Sequence, residues 1–400
     1  MKTKIFSTVV MTVLSVLFAQ AQVLGYRNGA CLAQDDENLY VTSSEHDCFM
    51  VMDKSTESVA IFDESSGEWP SQVGEKGSEH FLSVAARNGE AWMSYGYGHL
   101  MHFDGKKIDN VKQVSSDGIL HNLILDAEGK LLATTLNERI YRFDGNLTPI
   151  SSFDFHEDYT SASVLTSQVL DRKGVLWTVL NADLRGTLYR YAEGAGEFVD
   201  MGDLRAMAVA EDSEGRLYVY AVNKNNSPVK RRTLCRVEGN TVVIVAELPE
   251  DFPSGIVDIK IDSRSRVWLL ARRAIYRYAD GRIETFNHHA FTEHKSEHMK
   301  LSQILLDGET AYVCGGYFAE TLDLETNSAL HHTMLFKVKD GEVSEISLDE
   351  GTRGTSPSGI NTVKDQSGIT AGMIFDLQGR RLTQAPAKGV FIQNGKKVIY

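Results

Sequence analysis

Residues 171–180 read DRKGVLWTVL, and TLYRYAEG follows at 187–194. Both phrases return, as DSRSRVWLLA (262–271) with AIYRYADG (274–281) and as DAEGKLLATT (126–135) with RIYRFDG (139–145). Working outward from them, seven anchors align, each the large residue of a short apolar run: Tyr40, Trp92, Leu132, Trp177, Tyr218, Trp268 and Tyr312. Their spacings are 52, 40, 45, 41, 50 and 44 residues. An acidic residue or Asn precedes each anchor by a few positions, with a turn between. Asp and Asn side chains bond nearby backbone and Gly accepts positive φ, so these turns close hairpins. The phrase after each anchor alternates an aliphatic residue, a variable and mostly basic one, and Phe, Tyr or Val, which is the period of a strand. A Gly-containing turn then leads into a fourth, weaker strand, as in GRIETF (281–286) and GEVSEISL (341–348).

Seven repeats of about four strands with a period in the forties predict an all-β chain, a seven-bladed β-propeller over residues 22–347. One blade cannot bury its own hydrophobic face, which is why the phrase must recur. Asp126, Asp171, Asp212 and Asp262 recur with it, so they read as turn residues rather than a ring of acids. Cys31, Cys48, Cys235 and Cys314 are few and far apart, and each lies in or near an expected strand as a small hydrophobe.

Both ends of the chain differ from the repeats. Lys2 and Lys4 precede the apolar run IFSTVVMTVLSVLF, which ends at AQAQ, the order of a secretory signal peptide cleaved after Ala21. No later stretch approaches the length of a membrane span, so none is expected in the mature chain. The formal charge of −13, with KRR at 230–232 as the one basic cluster, argues against nucleic acid as a partner. DEGTRGTSPSG opens a linker over 348–370, and 371–400 carries three short β-like runs, the last two joined at Asn394-Gly395 in a hairpin signal.

The pattern D-x-x-G-x-L-W with L-Y-R-Y-x-x-G resembles two-component regulator propeller repeats, most clearly at Asp171–Trp177 and Ile275–Gly281. What that resemblance implies here is the fold. Phe375–Leu382, Lys388–Ile392 and the closing Gly395-Lys396-Lys397 resemble the C-terminal sorting domain of type IX secretion cargo in Bacteroidota. That likeness implies contact with export machinery and a secreted, periplasmic or cell-surface location.

Loops at one end of the channel are where a ligand is expected. Tyr95 and Tyr97 in SYGYGH, with Tyr317 and Phe318 in GGYFAE, are candidates to line such a mouth. His288, His289, His294 and His298 in NHHAFTEHKSEH are candidate metal ligands, although their spacing matches no zinc signature. Nucleotide-binding, serine-hydrolase and zinc-protease motifs are absent from the sequence, and no cofactor is implied. The expected function is that of an exported, non-catalytic propeller binding a protein or a glycan. The alternative is a propeller-fold hydrolase or lyase using loop carboxylates or a His-bound metal near the channel mouth.

Overall fold

The computed structural model describes residues 31–43, 48–63, 81–95, 98–114, 120–135, 139–154, 165–180, 187–192, 195–224, 231–293, 299–323, 328–348, 352–353, 374–375, 381–382, 390–393 and 396–399. The chain forms two compact units, Met1–Gly354 and Thr355–Tyr400. The smaller unit holds one four-stranded sheet made of Ile374–Phe375, Arg381–Leu382, Val390–Gln393 and Lys396–Ile399.

The larger unit is a seven-bladed β-propeller. Seven antiparallel sheets follow one another in chain order, each built from four consecutive strands. The first strands of successive sheets touch all the way round, and that of blade 7 meets that of blade 1. First strands are therefore innermost, and sheet faces bury their side chains against neighbouring blades. All seven anchors stand in second strands, and register puts Trp92, Trp177 and Trp268 in equivalent places. They pair with His102, Arg190 and Arg277 of their third strands. Arg190 and Arg277 lie over the indole faces they oppose, 5.9 and 5.0 Å from the ring centroids.

Each turn Asp does the work the repeat pattern assigns to it. Asp171 Oδ1 accepts from the backbone N–H of Lys173 and Val175, both at 2.9 Å, and its Oδ2 accepts from the Trp177 indole at 2.9 Å. Asp126, Asp212 and Asp262 cap their turns in the same way. Gly129, Gly174 and Gly215 supply the positive φ this turn needs, and Ser265 holds it in blade 6 at φ 60°.

A feature the repeat pattern did not show joins the inner strands. In blades 2 to 7 a β-bulge interrupts the inner strand, and in blades 2, 4, 6 and 7 a side chain at the bulge reaches the next blade. Ser83 Oγ accepts from Leu123 N–H at 3.0 Å, Ser167 Oγ from Val209 N–H at 3.1 Å and Asp258 Oδ2 from Ile304 N–H at 3.0 Å. Gln303 takes the same place in blade 7 and bonds both N–H and C=O of Leu32 in blade 1, each at 2.9 Å. Four different residues perform one task because only a side-chain acceptor at that position is required.

The ring closes between blades 7 and 1 by side chains rather than by a shared four-stranded sheet. Besides Gln303, Gln34 Nε2 donates to Leu306 C=O at 2.7 Å, Ser43 and Thr333 hydroxyls meet at 2.8 Å, and Lys54 pairs with Asp307 at 3.2 Å. Beyond blade 7, Thr352–Arg353, within the stretch expected to be linker, runs parallel to Val59–Phe62 as a fifth strand on blade 1. An apolar outer strand, VAIF, is thereby covered. All four cysteines are buried.

Candidate functional site

The loops that join second to third strands, and one blade to the next, lie at one end of the ring, because inner strands all start there. That end carries the residues singled out from sequence. Tyr95 ends its strand and is buried, its ring edge-on to Phe81 at 5.0 Å, so it packs rather than presenting a face. Tyr317 is half-buried against a cluster containing Phe336 and pairs with His332, while Phe318 pairs with His331. His288 lies against Phe291 and Phe336, 5.8 and 5.2 Å between centroids, with His289 beside it at 4.1 Å. Tyr97, His294 and His298 lie outside the described residues. Among the described residues no three His, Cys, Asp or Glu side chains converge as metal ligands.

A second place was not singled out from sequence: the rim between blades 4 and 5. A cleft of about 750 Å³ lies there, bounded by Trp177, Arg190 and Ala195–Glu197 of blade 4 and by Arg216, Arg236 and Val237 of blade 5. The outer strand of blade 4, Ala195–Phe198, is short and starts Ala-Gly, which leaves the neighbouring rim uncovered. A further cavity of about 740 Å³ is walled by the connector Asp200–Leu204 together with Lys224, Arg231, Val242 and Ile244 of blade 5. Asp200 forms one parallel bridge to Thr241, then the connector leaves the edge.

Beyond that rung the outer strand of blade 5, Thr241–Leu248, has no outer neighbour among the described residues. Val243, Ile244 and Val245 on it are the exposed large hydrophobic residues of the described chain, at 41, 39 and 42%. Contiguous exposed apolar surface of this kind marks an interaction site or an aggregation liability. Three arginines around it are already matched. Arg190 pairs with Glu197, Arg236 with Glu238, and Arg216 with Asp212 at 2.7 Å and Glu214 at 2.8 Å.

Three turn carboxylates, Asp35, Asp212 and Asp262, are held as anions by their partners. Burial raises the Asp262 carboxyl, and hydrogen bonds from Trp268 and from the Arg266 backbone and side chain outweigh it, so its pKa falls below the ordinary Asp range. Asp212 behaves alike through Arg216 and Glu214, and Asp35 through Tyr40, Asn38, Gly89 and Glu37. Groups fixed in this way serve architecture rather than proton transfer.

No family model matches the chain, and no curated protein matches it. Among solved structures it is similar to the Dos1 propeller, with TM-score 0.52 and 11% identity over 81% of this chain and 93% of that one. It is similar also to hydrazine synthase of Kuenenia stuttgartiensis, with TM-score 0.50 and 11% identity over 77% and 95%. YCF48 bound to D1 peptide gives TM-score 0.49 and 13% identity over 71% and 89%. What the first two share with the chain is a fold. The similarity to propellers agrees with the ring of seven blades and says nothing of ligand or reaction.

Proposed function

We propose that the protein is an exported, non-catalytic β-propeller that binds a partner protein at the periplasm or cell surface through the rim of blades 4 and 5. The observation that carries this reading is the exposed run Val243-Ile244-Val245, whose Ile244 borders the 740 Å³ cavity at the same rim. Apolar surface flanked by neutralised charge suits a protein partner better than a hydroxyl-rich glycan, which asks for presented aromatic faces and unmatched polar groups. Tyr95, the mouth aromatic that would have offered such a face, is turned to Phe81. Export rests on the leader-like N-terminus and on the sorting-like tail.

The reading is tested in cells that make the full chain. N-terminal sequencing of the exported form is expected to start at Gln22. Cross-linking in the exported fraction, followed by reconstitution with each purified cross-linked protein, is expected to give a saturable complex with at least one. Saturable binding confined to a glycan array, or substrate turnover by the purified chain, overturns it.

A further inference from the structure

We propose that the partner engages blade 5 by strand addition: an extended, uncharged apolar segment of another protein pairs with the open edge of Thr241–Leu248. This rests on the binding reading above and specifies how the same rim is used.

The seven outer strands make the case by contrast. Those of blades 2, 3, 4, 6 and 7 read IDNVKQ, PISSFD, AGEF, RIETF and EVSEI, each with at least one charged residue of the kind that blunts an edge. Blade 1 has an uncharged outer strand, VAIF, and the chain covers it with Thr352–Arg353. The outer strand of blade 5, TVVIVAEL, keeps its single charge, Glu247, near its end; its stretch Val242–Ala246 is wholly apolar and only the first rung, at Thr241, is covered, by Asp200. The apolar outer edge of blade 1 receives a strand, and that of blade 5 still has most of its rungs vacant among the described residues.

The chemistry of the occupant follows from what lines the edge. Backbone N–H and C=O groups of an outer strand offer a ladder without sequence preference, and side-chain pockets add selectivity. Ile244 and Val242 border the 740 Å³ cavity with Met201 and Leu204, an apolar wall for a side chain of the incoming strand, while Asp203, Lys224 and Arg231 line the rest of it. Arg190, Arg236 and Arg216 are paired with Glu197, Glu238, Asp212 and Glu214, so charge on the partner gains no counterpart from these three. A bulge at Val245, where Leu234 and Cys235 pair with Ala246 and Ile244, breaks the edge and limits how far a second strand can zip.

The test uses the mature chain and a fluorescein-labelled alternating Thr–Val octapeptide with a Ser-Gly tail, followed by anisotropy and hydrogen exchange. Saturable binding is expected, with slowed exchange confined to the blade 5 edge and an affinity that changes less than twofold between low and high salt. The same peptide N-methylated at alternate residues keeps its side chains but loses its donors, and is expected to bind at least tenfold more weakly. Val243→Lys is expected to weaken binding at least tenfold, while Val243→Thr, which keeps strand preference, restores most of it and checks that folding is intact. Equal binding of the methylated peptide, strong salt dependence, or protection elsewhere overturns strand addition. Concentration-dependent dimerisation abolished by Val243→Lys overturns it in favour of a second copy. If the cross-linked partner still binds Val243→Lys unchanged, strand addition fails while the protein-binding reading survives.

Discussion

Blades 4 and 6 are written in nearly the same words, yet the interface of blade 4 with blade 5 is open at its rim and that of blade 6 with blade 7 is filled. The frames agree position by position. Trp177 and Trp268 oppose Arg190 and Arg277, which in turn oppose Glu197 and Glu284. Three fillers differ. Phe286 stacks on Trp268 at 5.3 Å and 12°, where blade 4 has Val199. Arg266 joins Asp262, at 2.6 Å, to Glu309 of blade 7, at 2.6 Å, where blade 4 has Val175. The longer connector from blade 6 to 7 buries Ala290, Phe291 and Met299 in the cluster around Trp268, whereas Asp200–Asp203, crossing from blade 4 to 5, adds only Met201 to the cluster around Trp177. The fold requires inner strands to be stitched and tolerates any rim, so an open rim is a property of particular residues and not of propellers.

The largest effect expected from that difference concerns the two tryptophans. Trp268→Ala removes a side chain with 1% exposure, stacked on Phe286 and sandwiched by Arg277, and is expected to cost about 3–5 kcal/mol. Trp177→Ala opens onto the existing cleft, where neighbouring atoms have room to move and solvent can enter, and is expected to cost less. Denaturant unfolding of both variants checks the order. Equal costs would mean that the two rims are packed alike.

Much of this architecture was legible before any coordinates. The anchors, the Asp turns and the strand alternation all lie within one repeat, where local chemistry repeats and so shows. The stitches did not, because Ser83, Ser167, Asp258 and Gln303 share a position only after a one-residue bulge, and share an acceptor rather than an identity. The rim of blade 5 was hidden for a related reason. Its outer strand reads as one more weak fourth strand, and Val243–Val245 are exposed because nothing among the described residues pairs with that edge beyond the Asp200 rung. Conversely, SYGYGH looked like a presented surface, but exposure is decided by Phe81, the residue against which Tyr95 folds.

A smaller difference should appear on acidification. The Asp262 carboxyl titrates below its unfolded value, so the stability it contributes is present above about pH 4 and is lost as pH falls through the lower folded value. Asp262→Asn is expected to cost about 1–3 kcal/mol at pH 7, by weakening bonds to two backbone N–H groups, the Trp268 indole and Arg266. Its stability should also fall less steeply below pH 4 than that of the parent. Asp171→Asn loses no arginine partner, and in urea unfolding at pH 7 it should fall short of the Asp262 variant.

The smallest effect is a transplant that turns one rim toward the other. Val175 stands four residues after Asp171 as Arg266 stands four after Asp262, and Asp171 Oδ2 is bonded by the Trp177 indole without an arginine. Val175→Arg places a guanidinium where it can bond Asp171 Oδ2 and reach Glu214 on the next blade, reproducing the bridge to Glu309. Half-exposed ion pairs contribute little, so the gain in stability should stay within about 1 kcal/mol, and Glu214 already engages Arg216 at 2.8 Å. The informative readout is occupancy rather than stability. An arginine across the mouth of the 750 Å³ cleft should weaken partner binding severalfold while the inner ring is untouched. Unchanged affinity in that variant would place the contact wholly on the outer face of Thr241–Leu248, beyond the reach of blade 4.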